Sequence, residues 1–185
     1  MTGAPNVFLA NVKGAWLKAD AVDVERLVEI ARACPSGAIQ YRRNDIRPNE
    51  AAPPVNLVSV REAGPYAVRA ELILDGIEIG HRFTLFRCGA NKNKPFCDGS
   101  LHDVGFSASG EATTGIGRRS IDMLPVRDGV HAINTESDSP LHVRGNLEVL
   151  AGTGRMVCRI TSAKLCRCDG IASGHFATAC MPDRF

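Results

Sequence analysis

The nine residues Gly64-Pro65-Tyr66-Ala67-Val68-Arg69-Ala70-Glu71-Leu72 return as Ser139-Pro140-Leu141-His142-Val143-Arg144-Gly145-Asn146-Leu147, an offset of 75. Further along, Leu85-Phe86-Arg87-Cys88 returns as Leu165-Cys166-Arg167-Cys168, an offset of 80. Five extra residues around 150–156 absorb the difference, as a lengthened hairpin loop can. Self-similarity at long period means two copies of one supersecondary unit. Each copy reads as an extended segment, a proline turn, a β-hairpin and a glycine-rich loop bearing cysteine. Alternating apolar residues predict half-buried antiparallel strands over 56–60, 66–74, 81–86, 141–150 and 155–161. The stretch 107–122, rich in glycine, serine and threonine, is the crossing between copies.

Upstream, Val24, Leu27, Val28 and Ala31 recur at helical spacing, which predicts a helix over 20–34. Asp20 or Asp23 caps its start, and Pro35 ends it. Cys34–Tyr41 reads as a turn into a short strand. Residues 42–54 are polar and proline-bearing, the best linker in the chain. The expected fold class is mainly β, α+β overall: two tandem small β-rich units forming an intrachain pseudo-dimer behind a short N-terminal αβ module. The expected boundaries are 1–47, 53–110, a linker at 111–124, and 125–185.

Composition narrows the function. In 185 residues, 22 Lys+Arg against 20 Asp+Glu leave a net charge of +2, too small to argue for nucleic acid as the partner. Hydrophobic residues at 44% and charged residues at 23% speak against global disorder. No apolar run reaches the roughly 18–20 residues of a membrane span. The first twenty residues lack a basic segment followed by an apolar stretch, so no secretory signal is read. The seven cysteines are an odd number, which argues against a disulfide framework and for a reducing, cytoplasmic setting. Five of them (Cys88, Cys97, Cys166, Cys168 and Cys180) fall in glycine-bearing loops, where thiolates more often serve metals or redox chemistry. Cys158, between Val157 and Ile160, reads as a buried thiol. His81, His131 and His142 read as surface or packing residues. Arg42, Arg43, Arg118 and Arg119 read as solvated faces. Lys92 and Lys94 do too, although beside a redox centre they would steer an acidic partner.

The run Arg87-Cys88-Gly89-Ala90-Asn91-Lys92-Asn93-Lys94-Pro95-Phe96-Cys97-Asp98-Gly99-Ser100-Leu101-His102 resembles the CDGSH iron–sulfur domain, the family that includes mitoNEET. That family's pattern is C-x-C, eight residues, then C-D-G-S/T-H, and three cysteines with one histidine hold a [2Fe–2S] cluster. With the repeat, the resemblance spans about residues 55–185. Thiolates suit iron, glycine lets the backbone wrap closely, and Asp98 with Ser100 would orient ligands rather than act as a catalytic acid. A histidine ligand would make the cluster acid-sensitive.

The lettering departs from the family. Phe86 stands where the leading cysteine belongs, Leu101 where the histidine belongs, and His102 comes one position late. In the second copy Cys166 and Cys168 match, but His175 and Cys180 sit at non-standard spacing. The resemblance implies one or two [2Fe–2S] clusters on Cys88, Cys97 and His102, and on Cys166, Cys168, His175 and Cys180. The first set lacks a fourth ligand, whereas the second is a full Cys3His inventory. Two other outcomes stay open: a degenerate scaffold without a cluster, or Zn²⁺ on the surviving thiolates.

Residues 6–41, through Asn6-Val7-Phe8, Trp16 and above all Cys34-Pro35-Ser36-Gly37-Ala38-Ile39-Gln40-Tyr41, resemble the C-terminal half of the divergent single-cluster ferredoxin domain. That domain's other cysteines would lie before Asn6, so Cys34 has no partner cysteine in its own module. The function these resemblances imply is electron or cluster transfer to redox or cluster-acceptor proteins, by a monomer that is not an enzyme. The alternatives are a metal-free or zinc-bearing interaction module and a thiol-dependent redox catalyst using Cys166-x-Cys168.

Overall fold

The computed structural model describes residues 4–9, 12–34, 36–111, 126–135 and 141–165. They belong to two units, Met1–Glu50 and Ala51–Phe185.

In the first unit, an isolated bridge joins Phe8 to Leu17, and the Phe8 ring stacks on Trp16 at 6.0 Å. A 3-10 turn at Ala19–Ala21 precedes helix α1, Val24–Ala33. The helix starts at Val24, where the apolar spacing begins, rather than at residue 20, because of the two expected caps it is Asp23 that serves. Its carboxylate accepts from Arg26 N at 2.8 Å, satisfying a backbone donor that the first turn leaves open. Val28 and Ala31 are its buried face. The short strand expected before Tyr41 does not form: residues 38–41 run as irregular chain, and no described strand lies beside them to share a ladder. The start of the expected linker is folded back instead. Arg43 Nη2 meets Glu25 at 2.8 Å and Asp45 at 2.6 Å, and Arg43 N donates to Asn49 Oδ1 at 2.7 Å. Arg43 is therefore ion-paired rather than a solvated face, and its hydrogen bond holds the Asp45 carboxyl down to about 2.

The second unit carries six strands: β1 Leu57–Val60, β2 Tyr66–Leu74, β3 Ile77–Leu85, β4 Val130–Asn134, β5 Leu141–Leu150 and β6 Met156–Leu165. A single helical turn, α2 Ser100–Asp103, lies between β3 and β4. Four strands close a small ring. β1 and β2 are antiparallel, β2 and β4 parallel, β4 and β5 antiparallel, and β5 and β1 parallel. β3 extends the sheet from β2, and β6 from β5.

The registers repeat. Leu57↔Arg69 in β1–β2 becomes Ala132↔Arg144 in β4–β5, each number moved by 75. Tyr66↔Leu85 becomes Leu141↔Leu165, moved by 75 and 80. The irregularity between Arg69 and Leu72 recurs between Arg144 and Leu147. The parallel seams follow the same rule: Leu57↔Glu148 on one side and Ile73↔Ala132 on the other. The first strand of each half thus pairs with the hairpin of the other.

Strand alternation explains the core. Tyr66, Val68, Ala70 and Leu72 of β2 face inward with Val58, Val60, Ile133, Leu141, Val143, Leu147 and Val149. Polar groups tie the seam where the halves meet. Asn56 N donates to Arg127 O at 2.7 Å, Asn56 O accepts from Glu148 N at 3.0 Å, and Asn56 Nδ2 donates to Gly129 O at 2.9 Å and Asn146 O at 3.0 Å. Glu148, nearly buried, is bracketed by Arg127 Nη2 at 2.6 Å and Arg159 Nε at 2.8 Å. His131, read from sequence as surface or packing, is a core residue at 0% exposure. Its Nε2 meets Asn146 O at 2.6 Å, and because a carbonyl only accepts, Nε2 carries the hydrogen. Cys158 is neither a free thiol nor fully buried: it is half-buried and disulfide-bonded.

Candidate functional site

The loop after β3 is built around one carboxylate. Asp98 Oδ1 accepts from Ser100 Oγ at 2.6 Å, Ser100 N at 2.9 Å and Asn91 Nδ2 at 2.8 Å, while Oδ2 accepts from Lys92 N at 2.9 Å. The Ser100 hydroxyl and these backbone N–H groups hold the Asp98 carboxyl down to about 2. Asp98 therefore organises the turn, as read from sequence. Gly99 follows at φ +91, a backbone conformation open to glycine at little steric cost. The loop is stitched to β3 by Phe86 N→Pro95 O at 3.1 Å and Cys97 N→Thr84 O at 2.8 Å, and Phe83 packs on Phe96 at 5.2 Å.

Arg87 anchors the base of the loop. Its guanidinium donates to Arg61 O at 2.6 Å, Gly64 O at 3.1 Å and Ser109 O at 3.4 Å. It lies over the Tyr66 ring at 5.1 Å and the Phe106 ring at 5.5 Å. A buried guanidinium is tolerated here because carbonyl oxygens accept from it and aromatic faces flank it.

Cys88 is buried and Cys97 half-buried, both free thiols, and His102 is exposed on α2. Phe86 at 1% exposure and Leu101 at 4% are interior side chains. Among the described residues no group of three His, Cys, Asp or Glu side chains is placed to hold a metal, so Cys88, Cys97 and His102 do not make one. Asn91, which sequence reading passed over, is the buried hub: it joins Cys88 Sγ at 3.0 Å to Asp98 and to Phe96 O at 3.1 Å. An asparagine between two motif cysteines, three residues after Cys88, was the available signal. Lys94, read as a solvated face, places its ammonium over the Phe86 ring at 5.6 Å. Cys166, Cys168, His175 and Cys180 lie outside the described residues, as do Arg118 and Arg119.

The first unit holds a second sulfur site. Cys34 follows α1, with Sγ 3.3 Å from Ser36 Oγ. Burial pushes the thiol up, but the Ser36 hydroxyl and the backbone N–H groups of Ile39, Ser36 and Gly37 outweigh it and bring Cys34 below the ordinary cysteine value. A sulfur ringed by N–H donors is one arranged to carry negative charge. Residues 1–44 match the divergent 4Fe-4S mono-cluster family. No curated protein and no solved structure matches the chain. The family match agrees with the second resemblance and widens it to residue 1.

The donors of that stretch can be tested against the cluster. Four protein ligands are the rule for a [4Fe–4S] centre. Residues 1–44 hold one cysteine, Cys34, and no histidine. The Cys34 turn suits one iron corner, but residues 1–44 alone do not complete a donor set for a [4Fe–4S] centre.

Proposed function

We propose that this chain is a CDGSH-type iron–sulfur protein that carries a [2Fe–2S] cluster on Cys166, Cys168, His175 and Cys180. It would pass single electrons, or the cluster itself, to redox or cluster-acceptor proteins. One observation carries the reading. The repeated registers give Leu165, at the end of β6, the station that Leu85 holds at the end of β3. In sequence, Cys166-Arg167-Cys168 follows Leu165 as Phe86-Arg87-Cys88 follows Leu85. The second copy keeps both thiols of the C-x-C pair, and the first has exchanged one for phenylalanine. The match of residues 1–44 to an iron–sulfur family supports the same class of chemistry.

The test is anaerobic reconstitution of the full chain with iron and sulfide after reduction, a step required because Cys158 is disulfide-bonded. The expected product is coloured and carries about two irons and two acid-labile sulfides per chain. His175→Cys should slow the bleaching of that colour at low pH, since a histidine ligand is lost on protonation. A colourless, iron-free product would remove the reading, and stoichiometric uptake of Zn²⁺ instead would replace it with a zinc-bearing module.

A further inference from the structure

We propose that the loop Phe86–Phe106 is a metal-free turn, closed by a hydrogen-bonded chain running from Asp98 through Asn91 to Cys88. The orientation of Asn91 decides this. Its Nδ2 donates to Phe96 O at 3.1 Å and to Asp98 Oδ1 at 2.8 Å, and both partners only accept. The amide nitrogen is therefore committed, and the amide oxygen faces Cys88 Sγ at 3.0 Å. That oxygen carries no hydrogen, so Cys88 is the donor and keeps its S–H. A metal on Cys88 would displace that hydrogen and set an electron-rich sulfur against a carbonyl oxygen. Turning the amide over to relieve this would forfeit both Nδ2 bonds, one of them to a carboxylate.

The surroundings agree. Phe86 and Leu101 fill the interior at 1% and 4% exposure and offer no ligand atom. His102 is out in solvent, one residue beyond Leu101, and its backbone is tied to Gly99 O at 3.0 Å. Structural zinc and [2Fe–2S] centres both call for four protein ligands in a closed site. This loop has two sulfurs, one of them engaged as a donor. In this half of the fold, side-chain hydrogen bonds do the work of holding the turn that a metal would otherwise do.

This inference concerns the first loop and stands whether or not the last loop holds a cluster. The test is alkylation of the reduced full-length chain by iodoacetamide, with mass-spectrometric mapping of Cys88 and Cys97, in three states: as isolated, with excess Zn²⁺, and after iron–sulfide reconstitution. The expected result is that each cysteine labels at its own rate, unchanged across the three states. Asn91→Leu should raise the Cys88 rate about ten-fold or more, the order expected when buried hydrogen bonds are lost. Cys88→Ser, which preserves a donor, should leave thermal stability and metal content at wild-type levels. Protection of Cys97 or Cys88 by zinc or by reconstitution, or a fall in bound iron in Cys88→Ser, would overturn the proposal. A chain that takes up no iron at all would sink the cluster reading of the last loop, while the labelling rates would still decide this one.

Discussion

Gly145→Ala should be among the most damaging single-methyl additions in the second unit. Gly145 lies in β5 at φ +131, and a Cβ built there would stand 2.5 Å from His131 Cδ2 and 2.5 Å from Val130 O. Neither neighbour can yield easily. The imidazole is fully buried with Nε2 tied to Asn146 O, and the carbonyl belongs to the backbone of β4. Two costs combine: about 1–3 kcal/mol for holding a non-glycine residue in a sparsely populated conformation, and about 1–3 kcal/mol for overpacking. Their sum, about 2–6 kcal/mol, is a large part of the 5–15 kcal/mol typical of a domain. Urea titration followed by circular dichroism would read it. With a slope of about 2 kcal/mol/M, a 4 kcal/mol loss moves the midpoint down by roughly 2 M. Gly154→Ala is the control, because Gly154 also has positive φ, at +83, but nothing lies within 4 Å of its added methyl. It should carry only the conformational cost. In a His131→Ala background Gly145→Ala should cost less, though not nothing, because Val130 O remains. A Gly145→Ala midpoint equal to that of Gly154→Ala would refute the packing argument.

Two further predictions concern pH. Burial lowers the basicity of His131, so the unfolded chain, near 6.5, takes up a proton that the folded chain refuses. Stability from this residue is complete above pH 6.5 and declines as pH falls below it; melting temperatures between pH 7.5 and 5 should show this, with a shallower slope in His131→Gln. The Asp98 carboxyl is depressed from 3.8 to about 2, so its contribution is present above pH 3.8 and is lost as pH falls toward 2. Asp98→Asn should loosen the loop at neutral pH, seen as faster amide exchange at Lys92 and Ser100, and should abolish that acid dependence.

The offsets of 75 and 80 were legible because they are a matter of residue order along the chain, and the strand registers Leu57↔Arg69 and Ala132↔Arg144, and Tyr66↔Leu85 and Leu141↔Leu165, differ by the same numbers. Helix α1 was legible because capping and apolar spacing are local. The parallel seams β1–β5 and β2–β4 were not, because nothing in an alternating pattern states which edge a strand will adopt. β4, a five-residue strand preceded by glycine, was passed over for the same reason. Its buried partner to Ile133, His131, read as a surface or packing residue, and the alternation of Val130–Asn134 places it among the packing residues. Around the first loop, the sequence displayed cysteines but not the direction of the Asn91 amide, which only its three partners establish.

The first strands, each paired on both sides, carry a consequence for how this architecture arises and breaks. Because Leu57–Val60 completes the sheet of the later half and Val130–Asn134 that of the earlier, neither half is a finished object. Expressed together as two pieces divided between Glu111 and Val126, the chain should assemble as a clasped pair. Made separately, each fragment should stay insoluble or unfolded until it meets its counterpart.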